Sequence, residues 1–279
     1  MRLLAFPVRY VVGTTAPHVS GGWSLNRITM LFLVALVLPL GLVVVENGFG
    51  FLPLLGFALF VTLAWNIVFA RVRRQPIVMD WAVSAISFAL IVPPDLPLWQ
   101  LGLSLSFGIV IGEQIFGGRG RNFLNPAIVA LAFVAFSFPG TAGVHHSDLF
   151  ALAVLPGAVL LVATGLISWR VLAGALLALA CVVGFARLED PFTSVMAGPL
   201  VFMLVFFACD PVCAASTNPG RWIYGALVGL LIGLFGLPGE VVGAPTVLVF
   251  SILLASVFAP LIDYFVVSLN AYGRRRRDG

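Results

Sequence analysis

Two short stretches hold most of the residues that could do chemistry. The first reads GEQIFGGRGRNFLNPA, Gly112 to Ala127. Its glycines Gly117, Gly118 and Gly120 permit tight turns and let backbone approach a ligand closely. Asn122 and Asn125 each offer two hydrogen-bond donors and an acceptor. Pro126 suits the first turn of a following helix, with Asn125 as its N-cap. The same residues also describe an ordinary loop before a well-capped helix. No lysine or Ser/Thr follows in the spacing of a P-loop. The second stretch reads FFACDPVCAASTNPGRWIYG, Phe206 to Gly225. Here Asp210 stands at a helix break in apolar surroundings. A carboxylate there is costly unless paired or wet, which makes it a functional candidate. Capping, or pairing with Arg221, is the plainer alternative. Ser216, Thr217 and Asn218 precede Pro219 and read as the start of the next helix.

The remaining candidates are thinner. Cys209 and Cys213 are four residues apart, but Pro211 between them makes a shared helix face doubtful. Two cysteines alone cannot fill a tetrahedral metal site. They read as small packing residues, with a half-site completed by another subunit as the alternative. His145 and His146 read as solvated loop residues beside Asp148, because adjacent residues do not share a helix face. Asp80, Glu113 and Asp263 fall at predicted helix ends, where water is expected. No Ser-His-Asp set, HExxH or dinucleotide fingerprint is present. The chain therefore carries no self-contained catalytic or metal site.

What must position these residues is a membrane. Of 279 residues, 9% are charged and 61% hydrophobic, and the mean hydropathy is +1.12. Soluble domains carry roughly 25% charge, so the bilayer is the solvent here. Barrel strands alternate polar and apolar over about ten residues. These apolar runs are continuous, so the chain is expected to be all-α. Ten segments are read, at roughly 28–46, 51–70, 77–92, 98–116, 125–138, 149–168, 170–187, 197–209, 221–236 and 246–269. The third and eighth are short and end on proline, at Pro93-Pro94 and at Asp210-Pro211. No compact apolar leader ending in a cleavage site is visible in residues 1–26.

Every basic residue is arginine. With ten crossings and a cytoplasmic N-terminus, the inside loops collect Arg2, Arg9, Arg27, Arg71, Arg73, Arg74, Arg119, Arg121, Arg170, Arg221 and Arg274 to Arg277. Only Arg187 falls outside, beside Glu189 and Asp190. The positive-inside rule then places both termini in the cytoplasm, and topology explains the basic charge better than nucleic acid does. The arginine tail reads as a topology anchor that can also touch anionic lipid. The segments divide five plus five, and an odd number per half inverts one half against the other. The expected organisation is a cytoplasmic segment at 1–26, one membrane domain at 27–269 with repeats at about 27–138 and 149–269, and a basic tail at 270–279. Short, proline-broken segments at matching positions point to a central site.

Four blocks carry a resemblance. SAISFALIVPPDLPLWQ (from Ser84), FGGRGRNFLNPAIVALAF (from Phe116), DPVCAASTNPGRWIYGALVG (from Asp210) and FAPLIDYFVV (from Phe258) all resemble the NqrB/RnfD family. NqrB is a membrane protein of sodium-translocating NADH:quinone reductase, and RnfD is its sister in the Rnf electron-transport complex. The resemblance covers roughly residues 22–272. It implies a multi-pass protein of the bacterial inner membrane with a fold shaped like urea channels. It implies flavin and iron–sulfur partner subunits, quinone nearby, and electron flow coupled to sodium or proton movement. Asn122 and Asn125 match two asparagines that line the family's cytoplasmic flavin pocket, with Gly117 and Gly118 beside them. Phe133 matches an aromatic of the quinone-linked region, while Ala135 stands where a second aromatic is usual. The apolar gate between the broken helices maps to Val83, Ile86, Leu90, Phe202 and Phe206, with Asp210 at its end.

One departure is plain. The family carries FMN on a threonine of an SGAT-type motif after the fifth segment. Here that loop is PGTAGVHHSD, Pro139 to Asp148, and Thr141 has the wrong neighbours. Covalent FMN is therefore expected to be absent, and any flavin (riboflavin or FMN) to be held non-covalently. The chain reads as a dependent subunit of an ion-translocating oxidoreductase. The rival reading is a solute or ion channel or carrier that kept the fold without redox work.

Overall fold

The computed structural model describes residues 11–12, 19–20, 25–75, 77, 79–139, 147–185, 198–236 and 244–275. Apart from one short antiparallel pairing, β1 (Val11–Val12) with β2 (Val19–Ser20), the described elements are helices. They are α1 (Leu25–Asn47), α2 (Phe51–Arg73), α3 (Asp80–Ala89), α4 (Leu98–Ile109), α5 (Pro126–Ser137), α6 (Asp148–Ala163), α7 (Trp169–Phe185), α8 (Gly198–Met203), α9 (Asn218–Gly236) and α10 (Pro245–Arg275). Each of the ten apolar segments carries one of them. Two helices widen into a π-turn at their C-terminal ends: α4 over Val110–Gln114 and α8 over Leu204–Ala208.

Among the described residues, three stretches are long and apolar enough to cross a bilayer: Leu25–Arg73, Asn218–Gly236 and Pro245–Tyr272. The first contains both α1 and α2. Each of these helices has 23 residues, about 35 Å at 1.5 Å per residue, which exceeds the hydrocarbon thickness. The outward faces are apolar as well. Val37, Phe60, Phe185 and Phe265 are exposed, a surface that suits lipid and not water. The chain is thus an all-α polytopic membrane protein.

Neighbour relations repeat across the two halves. α1 packs on α3 as α6 packs on α8, and α2 on α4 as α7 on α9. α4 packs on α5 as α9 packs on α10, and α3 on α5 as α8 on α10. The halves meet through α1 against α6 and α5 against α10. The seam between α7 and α9 is the tightest. A Cβ on Gly229 would collide with the carbonyl oxygen of Ala175, and one on Gly225 with that of Val171. Glycine is required there because the two backbones touch, as in many membrane helix pairs.

The short helices α3 and α8 sit at the centre. Val83, Leu90, Phe202 and Phe206 belong to one buried apolar cluster, and half-buried Ile86 packs against it. The rings of Phe202 and Phe206 stack at 4.8 Å, and Phe32 of α1 meets Phe206 edge-on at 6.3 Å.

Candidate functional site

Both helix breaks end in a turn, and the second gathers the site. After the π-turn of α8, Asp210 N–H donates to the Phe207 carbonyl at 3.3 Å. Its side chain then turns inward and is 1% exposed. Oδ1 accepts from the Val212 amide at 3.0 Å and from Arg119 Nη2 at 3.5 Å. Oδ2 accepts from Asn125 Nδ2 at 2.7 Å. Arg221, one of the plainer alternatives as its partner, instead donates to the Ala215 carbonyl at 3.3 Å. It lies on the first turn of α9, whereas Arg119 comes over from the glycine loop of the other half. That loop and the turn after α8 are therefore stitched into one polar lattice.

The asparagines are part of the stitching. Asn125 caps α5 as expected: its Oδ1 accepts from the Ala127 amide at 3.0 Å. Asn122 Oδ1 accepts from the Gly120 amide at 3.1 Å. Asn122 Nδ2 donates to the Leu124 carbonyl at 2.7 Å and reaches Cys213 Sγ at 3.8 Å. Both amides are buried and turned toward protein groups. The glycines have the complementary task. Gly117, Gly118 and Gly120 lie at φ +113°, +93° and +91°, a region that side-chain-bearing residues rarely adopt. Cys209 and Cys213 are buried and unlinked.

Beside this lattice is a cavity of about 350 Å³, within the roughly 300–1,000 Å³ usual for small-molecule sites. Its wall includes Arg73, Asp80, Glu113, Gly117, Gly118, Arg119 and Arg121. Asp80 and Glu113 were expected in water at helix ends. Both are 3% exposed, because α3 and the π-turn of α4 start and stop inside the bundle. Glu113 Oε1 accepts from Gln114 Nε2 at 2.9 Å, and Arg73 donates to the Gln114 side chain at 2.9 Å and to its carbonyl. Burial alone would lower the pKa of the Arg119 guanidinium. The carboxylate of Asp210, the largest of the opposing influences, holds Arg119 above its ordinary value.

Asp263 was expected at a helix end and instead stands half-buried within α10, where it has a separate task. Its carboxylate accepts from the Ser216 amide and hydroxyl at 2.7 and 2.9 Å, and from those of Thr217 at 3.0 and 2.5 Å. Thr217 Oγ1 in turn accepts from the Gly220 amide at 3.2 Å, capping α9.

The structure thus brings Gly117, Gly118, Asn122, Asn125 and Asp210 together and leaves Phe133 apart. Phe133 is eight residues beyond Asn125 on α5, about 12 Å along the axis. There it stacks on Phe107 at 4.7 Å and meets Phe138 at 6.2 Å. His145, His146, Thr141, Arg187, Glu189 and Asp190 lie outside the described residues. Sequence reasoning missed Arg119, read only as a topology arginine, and underrated Asp80 and Glu113. The test applied to Asp210, an acid at a break within an apolar run, would have marked both acids.

Comparison with known proteins matches this architecture. Residues 12–150 and 140–271 match the model of the NQR2, RnfD, RnfE family. The chain is similar to the B subunit of the Na(+)-translocating NADH-quinone reductase of Pseudomonas aeruginosa strain UCBPP-PA14, 32% identical over 84% of this chain and 71% of that one. It is 33% identical to the same subunit from Ectopseudomonas mendocina, with the same coverage. The Neisseria meningitidis counterpart is 30% identical over 81% of this chain and 69% of its own. A family model matching nearly the whole chain, together with relatives aligned over more than two thirds of their length, places this protein in the NQR2, RnfD, RnfE family.

Proposed function

We propose that the chain is the membrane subunit of an electron-transport complex of the Nqr or Rnf kind, in the bacterial inner membrane with both termini cytoplasmic. It forms the transmembrane path from two inverted five-helix repeats. The observation that supports this most is the polar lattice. Loops from both halves, 85 and 91 residues apart in sequence, are tied at one cavity above an apolar plug. Val83, Ile86, Leu90, Phe202 and Phe206 then form a gate that closes by excluding water, with Asp210 at its polar end. Coupling of electron flow to sodium or proton movement belongs to the same reading. So do flavin and iron–sulfur partner subunits, surrounding lipid and a quinone acceptor nearby.

The residues around the cavity fit a flavin's polar parts. Gly117 and Gly118 offer backbone without a Cβ, and Arg73 and Arg121 offer cations to a phosphate or a carbonyl edge. Asn122 and Asn125 would act one step back by holding the glycine loop. A bound flavin supplies one- and two-electron chemistry that no side chain here can. Phe133 belongs to a separate aromatic group, a candidate contact for the quinone-linked region. The loop that replaces the SGAT motif argues for non-covalent attachment.

Purification in mild detergent tests the proposal. Flavin absorbance together with iron–sulfur subunits is the expected result. A colourless, solitary protein that conducts a small solute in liposomes would replace it with the channel reading. Asn122→Ala with Asn125→Ala should lower the flavin content while the protein still inserts; unchanged content removes the site assignment. A fluorescent band on a denaturing gel would show that flavin is covalently attached after all.

A further inference from the structure

The buried charges around the cavity do not balance, although its rim adds half-buried Arg73 and exposed Arg121. Three carboxylates, Asp80, Glu113 and Asp210, are each 3% exposed or less. One buried guanidinium, that of Arg119, faces them with its side chain 9% exposed. Arg73 reaches the rim from α2, but its donors go to Gln114. Asp210 is fully used by Arg119, Val212 and Asn125. Asp80 accepts from the Trp81 amide on Oδ1 at 3.1 Å and from its own backbone amide. Among the described residues no side-chain donor reaches Asp80 and none reaches Glu113 Oε2, yet both side chains line the cavity. Two negative charges that share one buried guanidinium, already engaged by Asp210, would cost several kcal/mol each at this depth.

Arg73 and Arg121 stand at the rim; at the depth of the two acids, a metal cation or protons could remove that cost. Hard cations take about six oxygen ligands. Among the described residues no three His, Cys, Asp or Glu side chains converge closely enough to hold an ion. Arg119, a fixed positive charge in the same cavity, also opposes a second cation. Protons need neither convergence nor a free coordination shell.

We propose that this cavity is a proton-holding site: Glu113 and Asp80 carry exchangeable protons in place of a metal cation, and Arg119 is the fixed counter-charge of Asp210. The charged and titratable groups facing Glu113 are Asp80 from α3, Arg73 from α2, Arg119 from the glycine loop, and Asp210 and Cys213 from the turn after α8. The relatives are named for sodium translocation; at this point of the path, this chain handles protons.

Infrared spectroscopy of the purified complex tests the assignment through the C=O stretch of a protonated carboxylic acid. At neutral pH the band should be present, shift in deuterium oxide, and keep its intensity whether sodium or choline is the cation. Glu113→Gln and Asp80→Asn should each remove part of it and the pair should remove it all; exposed Asp95→Asn should leave it intact. Absence of the band, or its loss on adding sodium, overturns the proposal. If the variants fail to accumulate, the response of the unaltered protein to sodium still decides. Loss of the redox reading leaves this test standing, because it requires no flavin.

Discussion

The two helix breaks are built alike and used differently. After α3 the chain leaves the helix through Leu90, Ile91 and Val92, whose amides donate to Ile86 and Phe88. Leu90, Ile91, Val92 and Leu96 are buried, while the acid of this break, Asp95, is exposed. Among the described residues no hydrogen bond or ion pair holds Asp95. After α8 the acid is Asp210, buried and bound by groups from both halves. Matching neighbour relations have thus produced one apolar break and one polar break. The neighbour relations match, but the polar side chains are placed at one break only. A repeated architecture supplies the two interruptions, and single side chains decide which one holds charge.

Removing Asp210 should show the largest contrast. Asp210→Ala leaves the Arg119 guanidinium buried without its carboxylate and frees the Asn125 amide. Breaking a buried pair from one side costs about 3–5 kcal/mol. A marked fall in thermal unfolding temperature in detergent is expected, with loss of protein from the membrane fraction. A variant as stable as the parent would mean that the two breaks are energetically equal.

Asn125→Ala comes next. It removes the cap of α5, worth about 0.5–2 kcal/mol, and a hydrogen bond to a charged group, worth about 1.5–3 kcal/mol. Asn125→Asp keeps the capping oxygen but sets a carboxylate against Asp210. It should be less stable than Asn125→Ser, which keeps a capping oxygen without the charge. Denaturation midpoints of the three variants check the order, and the reverse order would remove Asp210 from the interaction.

How much of this was legible in the sequence follows from distance along the chain. Ten apolar runs, both proline breaks and the Asn125 cap are local patterns, and helix and capping physics reads them directly. Asp210 was legible as an unusual acid, but its partner was not. Arg221 is nearer in sequence, and nothing local favours an arginine 91 positions away. The burial of Asp80 and Glu113 was hidden for a related reason. Both sit at helix ends, which ordinarily meet water. Here the helices begin and end inside the bundle, a property of packing between α2, α3 and α4 that no single segment displays.

The second break has another tie, and it should weigh less. Asp263 gathers the Ser216 and Thr217 amides and hydroxyls from a partly accessible position. Asp263→Ala should cost about 1.5 kcal/mol, the low end for hydrogen bonds to a charged group, since water can take over part of the set. Its effect should fall on the start of α9. Amide exchange around Gly220 should rise while Asn125 stays protected. Equal loss of protection at both places would mean that the turn and the lattice are one unit.

Asp95→Ala is the smallest and the most exacting. An exposed acid with no partner among the described residues should change stability by less than about 0.5 kcal/mol. If the first break shared the task of the second, the effect would resemble that of Asp210→Ala. The pair of measurements therefore isolates position from residue type, because both variants delete an aspartate beside a proline at a break. A near-zero result at Asp95 with a large one at Asp210 shows that burial and Arg119 confer the difference. The converse substitution completes the logic. Arg119→Gln in the Asp210→Asn background removes both charges together, and replacing both partners costs far less than stranding one. Recovery of most of the stability lost in Asp210→Ala would establish that the penalty at the second break is the stranded guanidinium, not the missing carboxylate.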